Sequence, residues 1–148
     1  MSLVIGCSVL LLLKWRTAEY EHNTFDKPLG KAKVAFEKGD YDEVRRLVEP
    51  LARTGYYAAQ WDMALLYALG RGIGRDDEEA LKLIKLSTIG TAKFVRENDT
   101  CKELDIRFAA NVFSFAKELE QMGEKKNASN WFNRAAELGY DPQKCPRK

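Results

Sequence analysis

The stretch GYYAAQWDMALLYALGRGIGRDDEEALKLIKLSTIG, residues 55–90, decides the fold of this chain. Its apolar residues recur at helical spacing on both sides of a glycine-rich turn at residues 70–74, which predicts two packed antiparallel helices. Ala64 and Ala80 are small residues at the positions where these helices must approach closely. Two helices this short cannot bury their apolar faces alone, so the pair predicts neighbouring copies of itself.

Related spacing is present on both sides of this stretch. Val44 precedes Gly55 by eleven residues, Ala128 precedes Gly139 by the same interval, and apolar pairs lie at matching offsets between them. In the central copy the corresponding glycine comes one residue earlier. Three segments with one internal rhythm predict an all-α repeat array.

Two segments resemble a known repeat. Residues 55–76 resemble the first helix and loop of a Sel1-like repeat, and the sequence WFNRAAELG at residues 131–139 resembles the end of its second helix. The likeness covers residues 28–141, although Leu83 and Ile84 stand where the family usually has an aromatic pair. The resemblance implies a right-handed solenoid of about three helical hairpins, related to the tetratricopeptide repeat.

The predicted hairpins have definite bounds. An acidic residue before a proline favours a helix start at Asp26, and Pro50 should kink the second helix because it lacks a backbone donor. Residues 92–97 are extra relative to a regular array, and are either a separate helical turn or part of the next helix. The six helices are predicted at residues 28–38, 40–53, 57–69, 76–89, 99–122 and 124–138.

The N-terminal segment differs in kind from the rest of the chain. Residues 3–13 are a largely apolar run of about 17 Å as a helix, shorter than a ~30 Å bilayer core and closed by Lys14-Trp15-Arg16. No basic residue precedes the run and no small-residue cleavage site follows it, unlike a cleaved signal peptide. We expect residues 1–16 to form a hydrophobic helix that anchors the protein in a membrane, and residues 17–27 to form a tether. Acylation of Cys7, as in a lipoprotein, and a buried first helix are the alternatives.

Cys101 and Cys145 are candidates for a disulfide. In an antiparallel hairpin the start of the first helix faces the end of the second, and an extended tail of six residues after Gly139 can reach ~20 Å. A bridge would indicate an oxidising compartment such as a bacterial periplasm, whereas two unrelated thiols remain the alternative. The basic residues after the apolar run favour the cytoplasmic side instead. Of these two signals we follow the bridge, and we expect a membrane-anchored protein with a periplasmic domain. Residues 142–148 read as a basic solvated tail.

Catalytic signatures are absent from the sequence. The one histidine, His22, lies in the predicted tether, and no His, Cys and carboxylate cluster has metal-ligand spacing. The glycine-rich turn lacks the preceding strand and the Gly-Lys-Ser/Thr of a phosphate-binding loop. A net charge of +2 is too small to indicate nucleic-acid binding. We therefore expect no enzyme, metal, cofactor or small-molecule substrate; a hidden pair of carboxylates across a cleft is what an enzyme would require.

The functional prediction concerns the surface of the repeat domain, where a partner protein could bind. In repeat arrays the first helix of each hairpin lines a concave face that binds partner proteins. Large apolar side chains there are candidate anchors, although Trp61 and Leu65 could instead pack against the first hairpin. The predicted partner-binding stripe is Trp61, Leu65, Leu69, Phe113 and Lys117, with a rim of Tyr56, Tyr57 and Arg71.

These features together predict a membrane-tethered adaptor or scaffold. It would bind another protein on the concave face of the repeat domain and have no catalytic activity of its own. The alternative is an immunity or inhibitor protein that neutralises a toxin or hydrolase, a role that some small Sel1-like proteins fill.

Overall fold

A computed structural model describes residues 22–94, 101 and 103–145. This part of the chain is helical and contains no strand, which confirms the predicted all-α class. A π-helical turn, His22–Asp26, precedes the first helix, and a 3₁₀ turn, Ala92–Phe94, follows the fourth. The helices are α1 (Lys27–Glu37), α2 (Tyr41–Arg53), α3 (Tyr57–Leu69), α4 (Asp77–Gly90), α5 (Leu104–Gln121) and α6 (Lys125–Glu137).

The helix starts follow local capping chemistry. Asp40 accepts a hydrogen bond from the backbone N–H of Glu43, and Asp76 accepts from the N–H groups of Glu78 and Glu79. These side chains satisfy donors that have no partner within a first helical turn. The sequence reasoning placed these starts within one residue.

One helix cap and one helix start were predicted wrongly. Asp26 does not cap α1: its backbone angles are helical and its side chain makes no capping hydrogen bond, because the preceding turn, His22–Asp26, already continues into α1. The long helix α5 begins at Leu104 rather than at residue 99. The predicted anchor at residues 1–16, most of the tether, and residues 95–100 lie outside the described residues.

Consecutive helices pack against each other, and a single core runs through all six of them. In chain order we refer to the pairs α1–α2, α3–α4 and α5–α6. Ala64 and Ala80 are completely buried, as close helix approach requires. Trp131 of α6 is also completely buried and meets the ring of Phe115 of α5 edge-on, with centroids 4.8 Å apart. Within the described residues, no helix combines the length and the apolar character needed to cross a bilayer.

The glycine-rich turn after α3 depends on close backbone packing. Gly70 and Gly72 have φ angles of +63° and +68°, in the left-handed region that favours glycine. A Cβ atom on Gly72 would lie 2.7 Å from the backbone oxygen of Tyr41, whereas Gly74 has open space around it. The turn therefore packs directly on the start of α2.

Replacing Gly72 with alanine should lower the free energy of unfolding by about 2 kcal/mol or more, because the new methyl group meets backbone and the φ angle is strained. Gly74→Ala is the matched control in the same turn and should change stability by less than about 0.5 kcal/mol. Urea unfolding followed by circular dichroism measures both. Equal effects of the two substitutions would contradict the packing described here.

A disulfide joins Cys101 to Cys145, with their Cα atoms 5.2 Å apart. Both residues are buried and pack with Ala110 of α5 in a small cluster of their own. The backbone N–H of Cys145 donates to the carbonyl oxygen of Asp141, so the described part of the predicted tail, residues 142–145, is turned back onto the domain. The bridge thus fastens the segment before α5 to the segment after α6.

Candidate functional site

A cavity of about 390 Å³ opens between the first helices of the three pairs. We call it the α1–α3–α5 groove. Its size falls at the lower end of the range for ligand-binding clefts. Most of its wall is apolar, and α1 supplies more of it than α3 and α5 together. The lining residues are Leu29, Ala32, Lys33, Phe36, Glu37, Val44, Asp62, Leu65, Glu118 and Met122.

Three carboxyl groups line this groove, and two of them, on α3 and α5, interact with each other. Glu118 of α5 accepts a hydrogen bond of 2.8 Å from Trp61 Nε1. Asp62 of α3 receives no hydrogen bond from the described part of the chain. Burial, together with the negative charge of Glu118, raises the pKa of Asp62 from 3.8 to about 7. Of these two carboxyl groups, that of Glu118 is held by a hydrogen bond, and that of Asp62 can still accept one.

The predicted partner-binding stripe is divided by the structure. Leu65 lines the α1–α3–α5 groove with 6% of its surface exposed, and the indole of Trp61 packs edge-on against Phe115 while reaching Glu118. Leu69 packs against the main core. The stripe thus contributes Leu65 to the groove lining, and Trp61 acts on the groove through its hydrogen bond to Glu118.

The α5 members of the stripe lie elsewhere. Phe113 stacks on Tyr140, with centroids 4.3 Å apart, and its ring also contacts Phe132 at 5.1 Å. Lys117 is half-buried and is not among the groove-lining residues. Phe113 therefore serves the packing of α5 against α6 and the tail. Whether either residue contacts a partner stays a prediction.

The predicted rim residues do not form one rim. Tyr56 stacks on Phe25, with centroids 4.5 Å apart, and Tyr57 lies against Phe94 at 6.0 Å, both at the start of α3. Arg71 follows the other end of α3. The thirteen residues of this helix separate its two ends by about 20 Å. The two ends of α3 therefore face different surroundings.

Arg71 connects three helix pairs. Its guanidinium donates to Tyr41 Oη at 2.9 Å and to Glu124 Oε1 at 2.6 Å, from the turn between α3 and α4. Such a half-exposed ion pair with a second hydrogen bond fixes geometry more than it adds stability. Through these contacts, Arg71 links the turn after α3 to the start of α2 and to the start of α6.

Sequence reasoning missed the carboxyl pair and named no residue of α1 in the groove. The available signal was that Asp62 is the sole charged residue of the otherwise apolar helix Tyr57–Leu69. A charge on a helix that is mostly buried needs a partner or a function. Within the described residues, no group of three His, Cys, Asp or Glu side chains is arranged to hold a metal ion.

Comparison of the chain with protein-family models, with curated proteins and with solved structures gave no match. The likeness to Sel1-like repeats therefore stays a prediction from the sequence.

Proposed function

We propose that this protein is a non-catalytic interaction module that binds another protein in the α1–α3–α5 groove. The groove itself is the observation that carries the proposal, because the first helix of each pair, α1, α3 and α5, supplies most of its lining. In a right-handed solenoid of three Sel1-like or tetratricopeptide-like hairpins, these helices line the concave face. The pairwise packing of consecutive helices supports that arrangement.

The lining of the groove favours binding over catalysis. Paired carboxyls also occur in glycosidases, but such sites need further polar groups that hold the sugar hydroxyls. Among the described residues that line the groove, none carries an amide, hydroxyl or imidazole side chain. Apolar walls with a few charged groups fit an extended or helical protein segment better than a sugar.

The setting of the module is part of the same proposal. A disulfide between Cys101 and Cys145 suits an oxidising compartment, which supports a periplasmic domain. The apolar run at residues 3–13 supports tethering to a membrane, so the partner would be met at the membrane surface.

Site-specific photocrosslinking tests the proposal. A benzophenone amino acid at Met122, in the groove, is compared with the same amino acid at Val34, an exposed apolar position of α1 outside the groove. We expect one discrete protein adduct from position 122 in cells and none from position 34. Equal labelling at both positions, or no adduct from position 122 in a folded protein, would contradict the proposal.

The captured partner also separates the two functional classes. An adaptor leaves the partner's activity intact, whereas an immunity or inhibitor protein suppresses it on binding. Assaying the purified partner with and without an excess of this protein distinguishes the two outcomes.

A further inference from the structure

Resting on the proposed function, we infer that the α1–α3–α5 groove takes a lysine or arginine side chain of the partner protein. The alkyl stem of that side chain would pack along the apolar wall formed by Leu29, Phe36 and Met122. Its cationic group would reach Asp62 and Glu118 at the α3–α5 side of the groove. The partner segment would present this cation beside a large apolar residue.

The charge balance of the groove supports this occupant. The described residues place four titratable groups on its lining: Lys33 and Glu37 from α1, Asp62 from α3 and Glu118 from α5. Three carboxyl groups thus face one ammonium group. Within the described residues, Lys33 forms no ion pair with any of the three. The groove is therefore complementary to an added positive charge.

Asp62 gives this preference its physical basis. When a carboxyl group is removed from water and receives no hydrogen bond, its ionised form is destabilised. A cation that enters the groove restores the lost interaction, so the binding site gains more from a cation than an exposed carboxylate does. Glu118 lacks this deficit in part, because Trp61 already donates to it.

The apolar wall selects among cations. Lysine and arginine carry three or four methylene groups that pack on apolar surface while the charged end reaches polar groups. A bare metal ion would leave that wall uncovered, and the described residues place no group of three His, Cys, Asp or Glu side chains where they could hold one. An apolar side chain would fill the wall but leave Asp62 without a partner.

Binding of a cation should depend on pH. The ionised form of Asp62 attracts the cation, and burial together with Glu118 delays its ionisation to about pH 7. Affinity should therefore rise as the pH increases from 6 to 8, and the bound cation should lower the pKa of Asp62. The other charged groups that the described residues place on the groove lining are Glu37, Glu118 and Lys33.

Fluorescence anisotropy with three labelled peptides on the full chain tests the inference. The peptides differ only at a central position between two leucines, which is lysine, arginine or norleucine. At pH 8 we expect the lysine and arginine peptides to bind at least tenfold more tightly than the norleucine peptide. The difference should shrink at pH 6. Equal affinities, or failure of all three peptides to bind, would overturn the inference.

Asp62→Asn isolates the carboxyl group at nearly constant shape. It should remove most of the tenfold preference for lysine over norleucine and leave the norleucine affinity within twofold, with an unchanged circular dichroism spectrum. Glu118→Gln, which keeps an acceptor for Trp61, should reduce the preference less. A full preference in Asp62→Asn would refute the role of this residue.

Failure of this inference is distinguishable from failure of the proposed function. Discrete photocrosslinking from position 122 without any cation preference would leave protein binding in place and remove the basic side chain as its occupant. Cation-dependent peptide binding without a protein adduct from position 122 would retain the site chemistry and remove the proposed partner interaction.

Discussion

Replacing Cys101 and Cys145 together with alanine is expected to lower the free energy of unfolding by about 4 kcal/mol at 25 °C. The bridge closes a segment with a sequence separation of 44 residues, and this loop length sets the magnitude in the chain-entropy account of disulfides. Loss of the two buried sulfur atoms from their cluster with Ala110 acts in the same direction. Guanidinium unfolding of the oxidised protein and of the double variant measures the difference.

Thiol counting provides the control for this experiment. The chain has three cysteines, so the oxidised protein should show one reactive thiol after denaturation without reductant and three after reduction. Cys101→Ala alone should cost about as much as the double variant, because either substitution opens the same loop. Three reactive thiols in protein isolated from an oxidising compartment would contradict the bridge.

The fold class was accessible from the sequence because its signals are local. In residues 55–90, apolar spacing identified α3 with its correct bounds, and acidic caps placed the start of α4 within one residue. The start of α5 was not accessible in this way. Asp99 is a good cap by residue type, but the helix begins after Glu103, beyond the disulfide-linked Cys101.

The site was only half predictable for a related reason. Periodicity shows that one face of α3 is apolar, which identified Trp61 and Leu65. It does not show which helix packs on that face, and α1 closes the groove with Leu29 and Phe36. Whether Asp62 is solvated or buried depends on those distant neighbours. The sequence alone therefore does not show whether a charged residue is buried.

Arg71 is a second case in which the sequence predicted the local structure but not the long-range contacts. The glycines beside it predicted a tight turn from residue type alone. The structure agrees, because two of these glycines have positive φ angles. The partners of its guanidinium, Tyr41 and Glu124, are 30 and 53 residues away in the chain. Only the stacking of helix pairs brings them together, so residue type alone could not identify the contacts of this arginine.

Asp62→Asn is expected to raise the free energy of unfolding at pH 8 by up to about 4 kcal/mol, the other large effect in this protein. Folding raises the pKa of Asp62 from 3.8 to about 7, and one pH unit corresponds to about 1.4 kcal/mol. Between these pH values the folded state binds the proton and the unfolded state does not. Stability due to Asp62 is therefore present below pH 4, and is lost as the pH rises towards 7.

The difference between wild type and Asp62→Asn isolates this contribution, because all other carboxyl groups titrate in both proteins. The two stability curves should nearly coincide at pH 4 and diverge up to about pH 7, with the variant more stable, then run parallel. Glu118→Gln should end the divergence at a lower pH, since the charge of Glu118 is the second cause of the raised pKa. Parallel curves across the whole range would mean that Asp62 is solvated, and the groove would then lack the carboxyl that the cation inference requires.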